Sequence, residues 1–317
     1  MTRTPAERSA GSSPLRAGRE SLSACASYVG RFAPSPTGAL HLGSLVAALG
    51  SYLDARHNGG RWLVRIEDLD TGRVVPGEAD EILRTLERFG LDWDGEVEYQ
   101  SRRMSGYQAA LETLKSNGAT FECSCSRRER SNTGDTGYPG TCRGGPSRAG
   151  PTATRFRVPD GHVRFTDRLL QEECEFDLRA LGDPIIRRRD GVLSYQLAVV
   201  VDDAQQGVTD VVRGADLLES TAWQITLQRA QGLATPSYGH LPLVLEPRGG
   251  KLAKSRHSLD IGAAAPTPQL IVALQLLQHP PPAALAQASP RELLAWATNS
   301  WQLQRLRGLR TVTFHTP

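Results

Sequence analysis

Along the chain, short continuous apolar runs alternate with stretches in which apolar positions recur every three or four residues. The runs at 28–32, 61–66, 195–201 and 208–212 show no in-and-out alternation and read as strands buried on both faces, as in a parallel sheet. Helical spacing marks 42–53, 104–114, 221–231, 269–277 and 290–301, and in 77–89 it places Ile82, Leu83, Leu86 and Phe89 on one face. Strands and helices thus take turns, which predicts an α/β fold. Segments 154–158, 162–166 and 174–178 read as short strands of an insertion crossing from one half of that fold to the other.

The first strand runs into Arg31-Phe-Ala-Pro-Ser-Pro-Thr-Gly-Ala-Leu-His-Leu-Gly-Ser44. Pro34, Pro36 and Gly38 forbid continued strand or helix, and His41, Gly43 and Ser44 fall where the next helix begins. Backbone N–H groups there lack helical partners and the dipole is positive, so the turn can seat a phosphate. The bland alternative is that Gly43 only lets helix and sheet approach. The second strand ends at Glu67, Asp68 and Asp70, and Arg213 closes the 208–212 run ahead of Gly214. In an open parallel sheet those carboxyl ends face the ligand. For Arg213 the competing reading is a surface ion pair with Asp210 or Asp216, and for the acids a solvated turn.

Composition refines this picture. Among 37 basic residues only Lys115, Lys251 and Lys254 are lysine, and two of these share Gly-Gly-Lys-Leu-Ala-Lys-Ser after the apolar segment 241–245. A compact ammonium on a flexible stem can follow a moving phosphate charge, whereas guanidinium prefers a fixed partner. The net charge of +3 does not by itself argue for nucleic acid, although Arg127, Arg128 and Arg130, and separately Arg187, Arg188 and Arg189, form local basic clusters. Five cysteines in 317 residues, with no run long enough to span a bilayer, predict a reducing, cytoplasmic setting. Residues 1–27 read as a disordered tail without a secretory core.

Cys123, Cys125 and Cys142 cluster in a Gly-, Pro-, Ser- and Arg-rich stretch that lacks apolar periodicity. Such a segment cannot bury enough surface to fold alone, and a zinc ion would supply the missing energy. Three thiolates leave the fourth ligand open. Cys25, in the tail, and Cys174, in a strand, read as ordinary thiols.

Pro-Ser-Pro-Thr-Gly followed by His41-Leu-Gly resembles the HIGH signature of class I aminoacyl-tRNA synthetases in its glutamyl and glutaminyl form, and Lys251 to Ser255 resembles the accompanying KMSKS loop, with Ala253 where serine is usual. Gly90-Leu-Asp-Trp-Asp-Gly, Tyr99-Gln-Ser-Arg, Ser194-Tyr-Gln-Leu-Ala and Val212-Arg-Gly-Ala-Asp-Leu-Leu fit the same family. The Cys-x-Cys pair, Tyr138, and Cys142 four residues on are similar to the zinc pattern of its truncated members, the glutamyl-Q tRNA(Asp) synthetases.

The resemblance spans residues 28–300. It implies a class I Rossmann-type nucleotide-binding fold in two halves, 28–120 and 183–260, with a zinc-binding insertion at 121–182 and a short helical C-terminal part at 261–317, without an anticodon-binding domain. Its implied glutamate contacts are Arg31, Phe32, Ala33, Pro34, Ser35, Glu67, Tyr195 and Arg213, with Glu67 on the ammonium and the arginines as bidentate forks on carboxylates. ATP contacts would come from Pro34, Thr37, Gly38, His41, Gly43, Ser44 and Lys254, catalysis from His41, Lys251 and Lys254 with Mg²⁺ on the leaving pyrophosphate, and one structural zinc would be held by Cys123, Cys125, Tyr138 and Cys142. The implied reaction forms glutamyl-adenylate and esterifies queuosine in the anticodon stem-loop of tRNA(Asp), with the protein a monomer. A minimal synthetase charging a tRNA 3′ end and a catalytically silent RNA-binding relative are the alternatives.

Overall fold

The computed structural model describes residues 1, 28–126, 129, 137–170, 173–245, 261–262 and 264–314. Cys25, the Arg127, Arg128 and Arg130 cluster, and Lys251 and Lys254 lie outside the described residues.

The first half comprises β1 (Val29–Phe32), α1 (Leu42–His57), β2 (Arg61–Ile66), α2 (Glu78–Arg88), β3 (Glu98–Tyr99) and α3 (Met104–Ser116). An inserted part follows, with β4 (Thr120–Cys123), β5 (Ala153–Phe156), β6 (His162–Thr166), β7 (Glu173–Asp177), α4 (Leu178–Leu181) and β8 (Ile185–Arg187). The second half contains α5 (Tyr195–Gln205), β9 (Asp210–Gly214), α6 (Leu218–Gln231), β10 (Ser237–Leu241) and β11 (Leu243–Leu245). The chain then forms α7 (Pro266–Leu276), α8 (Pro290–Ser300) and β12 (Thr311–Thr313), which pairs in parallel with β11.

β1, β2 and β3 pair in parallel, as do β9 and β10. The two halves meet where the Thr209 N–H donates to the Val29 carbonyl at 3.0 Å and the Val29 N–H to Thr209 Oγ1 at 2.8 Å. β1 is therefore flanked by β2 on one side and β9 on the other, and the crevice beyond their carboxyl ends is the place where open α/β sheets take ligands.

Both faces are covered, as the continuous apolar runs require. Trp62, Val64 and Ile66 pack with α1, α2, α7 and α8, while Leu63 joins α3, α5 and α6 on the opposite face. Arg65 alternates onto that second face and is fully buried. Asp54 of α1, itself buried, accepts from Tyr28 Oη at 2.5 Å, Arg168 Nη1 at 2.8 Å and Trp301 Nε1 at 3.2 Å, which ties the C-terminal helices to the first half.

The 195–201 segment is a helix, where the sequence pattern predicted a strand. Leu197, Ala198, Val199 and Val200 are all buried, so the run is apolar all round and its periodicity carries no sign of its type. Helical winding brings Asp202 and Asp203 beneath the sheet, onto Arg65. β3, β4, β8, β10, β11 and β12 have no counterpart among the strands expected from the sequence, and the strand carrying Arg213 begins at Asp210 rather than 208.

Candidate active site

A cavity of about 950 Å³ opens at the crevice. The carboxyl end of β1 and the following turn line it with Arg31, Phe32, Ala33, Pro34, Ser35, Thr37 and Gly38; α1 adds His41, Gly43 and Ser44; and Glu67, Tyr195 and Arg213 close the opposite side. Every described residue expected from the sequence to touch ATP or glutamate lines this one cavity. Arg73 and Asp216 also line it; neither is among the ligand contacts expected from the sequence, where Asp216 enters only as a candidate ion-pair partner of Arg213.

His41 caps α1 and its Nδ1 accepts from the Ser44 N–H at 3.2 Å, which leaves the proton of the neutral ring on Nε2. No acidic residue occupies the first turn, so the positive helix end faces the cavity without a side-chain anion of its own. The proline turn is pinned from behind by Glu67 N–H to Pro34 O and Val75 N–H to Pro36 O, both 2.9 Å.

Below the cavity lies a buried charge network. Arg65 reaches Asp203 at 2.8 Å, Asp202 at 3.6 Å and Glu67 at 3.7 Å, Arg31 reaches Asp203 at 3.4 Å, and Asp202 accepts from Arg103 at 2.7 Å and from Gln100 and Tyr107. Asp203 is held below its usual range: burial pushes it up, but Arg31 and Arg65 outweigh that. Glu67 is pushed up to about 7, burial outweighing the pull of Arg65 and Arg31. Glu67 Oε1 and Arg31 Nε are buried with no hydrogen-bond partner among the described residues.

Arg213, 5 % exposed, is neither at the surface nor paired with Asp210 or Asp216. Its Nη2 donates to Thr221 Oγ1 at 2.7 Å and Leu217 O at 3.4 Å, its Nη1 to Tyr195 Oη at 3.2 Å, and its Nε faces His240 Nε2 at 3.4 Å. Four of the five guanidinium N–H groups are engaged, so the cavity is offered one N–H beside the Tyr195 O–H, in place of the two-pronged fork expected from the residue type. No carboxylate pairs with Arg213 among the described residues.

The family model for the catalytic domain of class I tRNA synthetases of the E and Q type matches residues 28–263. The chain belongs to this family. Its curated relatives include the glutamyl-Q tRNA(Asp) synthetase of Pseudomonas paraeruginosa, 51% identical over 280 residues that cover 88% of this chain and 95% of the relative. The protein of the same name from Thiobacillus denitrificans is 50% identical over 287 residues, 89% and 95% of the two chains. Among solved structures, a glutamate tRNA ligase from Elizabethkingia meningosepticum, crystallised in complex with its amino acid, superposes with a TM-score of 0.74 at 25% identity, covering 91% of this chain and 67% of that one. As a class I tRNA synthetase the chain is a ligase, and no helix among the described residues is long and apolar enough to cross a membrane.

The synthetase core carries a second constellation away from the cavity. The Sγ atoms of Cys123, Cys125 and Cys142 lie within 4.8 Å of one another, with Cys125 to Cys142 at 3.5 Å. Tyr138 Oη lies 3.5 Å from Cys123 Sγ and 3.7 Å from Cys125 Sγ, and accepts from the Cys142 N–H at 2.8 Å. Tetrahedral sites with Zn–S bonds of about 2.3 Å have ligand edges of about 3.8 Å, so this donor set suits zinc. Burial pushes the Cys125 thiol up to about 11, whereas Cys142, also raised by burial, is brought down to about 6 by hydrogen bonds from Tyr138, Ser124 and Ser147. Gly137 and Gly182 let the Tyr138 segment lie against α4: a Cβ at Gly137 would sit 2.1 Å from Leu181 O, and one at Gly182 2.2 Å from Tyr138 N. The Arg155 guanidinium stacks 3.7 Å from the Tyr138 ring centre. Two members of the basic cluster at Arg187, Arg188 and Arg189 have internal partners, Arg188 pairing with Asp70 and Asp190 and Arg189 donating to the Ser124 and Cys125 carbonyls.

Proposed function

We propose that this ligase activates glutamate with ATP, independently of tRNA, and transfers the glutamyl group to the queuosine base in the anticodon of tRNA(Asp). The observation that carries the amino-acid half is the pairing of opposites across one cavity: among the described residues, Arg213 is a buried cation with no carboxylate in ion-pair contact, and Glu67 a buried carboxyl whose Oε1 has no hydrogen-bond donor and only a 3.7 Å approach to Arg65. An uncompensated buried charge is costly, and a zwitterionic dicarboxylate compensates both ends. Arg31, Arg213 and Glu67 sum to +1, which matches the net −1 of glutamate and disfavours uncharged glutamine.

One carboxylate takes Arg213 Nη1–H and the Tyr195 O–H, the ammonium takes Glu67, and Arg31 faces the second carboxylate. An oxygen of the α-carboxylate attacks the α-phosphorus of ATP, and the bond to pyrophosphate breaks. The attacking group is already anionic, so the reaction needs positioning and charge stabilisation rather than a general base. The open amides of Leu42 and Gly43 at the start of α1, with His41, supply that stabilisation. Lys251 and Lys254, outside the described residues, are the further cations the sequence offers. Mg²⁺ with the nucleotide would neutralise the leaving pyrophosphate. A queuosine hydroxyl then attacks the acyl carbon and AMP leaves.

The relatives' names support queuosine-bearing tRNA(Asp) as the acceptor. The Cys123, Cys125, Tyr138 and Cys142 module, held by one zinc ion, adds a rigid surface near the catalytic half that suits shape recognition of an RNA stem-loop. The test is exchange of labelled pyrophosphate into ATP with glutamate and no tRNA, followed by glutamylation of tRNA(Asp) with and without queuosine. Label confined to the queuosine-bearing tRNA is the expected result. Label on tRNA(Glu) would make the chain a minimal synthetase, and no exchange at all would refute activation.

A further inference from the structure

Behind Arg213 a second layer of buried groups converges on its guanidinium. His240 of β10 and Asp167, in the turn after β6, have no exposed surface. His240 Nδ1 lies 2.6 Å from Asp167 Oδ2, while Asp167 Oδ1 accepts the backbone N–H groups of Leu169 and Leu170 at 2.9 Å and of His240 at 3.3 Å. These donors fix Oδ1 as an acceptor; the hydrogen bond with the His240 side chain, followed by the Leu170 and Leu169 N–H groups, holds the carboxyl below its usual range against the upward push of burial. Nδ1 is therefore the protonated nitrogen, and Nε2 carries a lone pair 3.0 Å from Thr221 Oγ1 and 3.4 Å from Arg213 Nε. Burial and the nearby Arg213 keep the imidazole below its ordinary titration range, although Asp167 pulls it upward. Tyr238 stacks parallel to the ring, 7° between planes, and the Arg213 guanidinium lies 5.4 Å from the same Tyr238 ring centre.

The choice of residue has a physical reason. A carboxylate placed against Arg213 would orient it equally well but would cancel the charge meant for a ligand. A neutral imidazole supplies an acceptor without that cancellation, and the anion that fixes its tautomer stands one ring farther away. The same logic operates where a buried aspartate holds a catalytic histidine in one tautomer.

We propose that Asp167 and His240 are positioning residues for glutamate: Asp167 fixes the Nδ1–H tautomer, and the Nε2 lone pair holds Arg213 in plane while leaving its charge to the substrate. The inference rests on reading Arg213 as a glutamate ligand. Asp167→Asn tests it at nearly constant volume. The three backbone donors retain the amide oxygen, so the NH₂ group meets His240 Nδ1, the ring proton moves to Nε2, and N–H then opposes N–H at Arg213.

The expected result is a rise in KM for glutamate of roughly tenfold to a hundredfold, with kcat and the KM for ATP within about threefold, because a contact made equally in ground and transition states acts on KM alone. Ring ¹⁵N NMR signals should report Nδ1–H in the wild-type protein and Nε2–H in the variant. A switched tautomer with glutamate KM within twofold of wild type overturns the proposal, as does equal loss of glutamate and ATP affinity with the tautomer unchanged. Should Asp167→Asn fail to fold, the wild-type spectrum still decides, since an Nε2–H ring in the native protein is incompatible with the assigned role. Failure of the underlying reading looks different: the wild-type protein itself would show no glutamate-dependent exchange.

Discussion

Replacing Glu67 by glutamine should stabilise the protein at pH 8 while destroying its use of glutamate. Burial raises the Glu67 pKa from 4.5 to about 7, net of the attraction of Arg65 and Arg31. An acid whose folded pKa lies above its unfolded value is favoured by folding in its protonated form. It costs nothing below about pH 4.5, its cost grows as pH rises from there to about 7, and the cost is constant above. At 1.36 kcal/mol per unit the plateau amounts to about 3 kcal/mol.

Glutamine imitates the protonated acid and removes that cost. The apparent Tm at pH 8 should rise by roughly 5 °C for a chain of this size, and the gain should vanish near pH 4.5. Losing the partner of a buried ammonium should lower kcat/KM for glutamate at least about a hundredfold. In the wild-type enzyme kcat/KM for glutamate should rise tenfold per pH unit up to about 7 and then level off. Thermal scans of both proteins from pH 4.5 to 8, alongside pyrophosphate exchange, provide the check. A Tm difference that is independent of pH would refute the reasoning, because it would mean that Glu67 carries no unfavourable buried charge in the folded state.

No described residue of 121–182 lines the cavity, so chelating the metal should leave glutamate-dependent pyrophosphate exchange within about threefold while abolishing transfer to tRNA; one zinc per chain should be found by elemental analysis of the untreated protein. Tyr138→Phe keeps the ring beneath Arg155 but removes the oxygen, and should lose zinc to a competing chelator faster than wild type. Gly182→Ala forces a side chain into φ +73° and against the Tyr138 N–H, and should cost about 2–4 kcal/mol, read as a lower unfolding midpoint and faster zinc loss.

What could be read in advance had a local cause. Pro34, Pro36 and Gly38 break regular structure wherever they occur, His41 falls at a cap position because a helix must start after such a turn, and a doubly buried parallel strand such as Arg61–Ile66 shows as Trp62, Leu63, Val64 and Ile66 without in-and-out alternation, Arg65 being the one charge inside the run. The resemblance decides between readings that the residues alone leave open: Glu67 at a strand end could as well cap a solvated turn, Arg213 could form a surface ion pair and Tyr195 opens an apolar run, yet all three face one cavity. The helix at 195–205 differs from the expected strand for a related reason, since four consecutive buried apolar residues at 197–200 leave no polar position there to reveal a period of 3.6.

What escaped the sequence depends on distance in space. Asp202 and Asp203 close an apolar run and could as well cap a strand; only the helical winding of α5 sets them against Arg65, more than a hundred residues earlier. His240 and Asp167 stand 73 positions apart and neither carries a motif. Each is a partner of a partner: Asp203 compensates Arg65 and Arg31, and Asp167 fixes His240, which orients Arg213. The outer groups must present charge to a ligand, so their own compensation has to be incomplete, and the anions that steady them sit one layer deeper. Arg213 reaches only neutral acceptors, and Glu67 lies 3.7 Å from its nearest cation. Binding free energy for an amino acid is thereby held as incompletely met electrostatics at the cavity wall, which is why the substitution that relieves it at Glu67 should make the protein more stable and less able to bind.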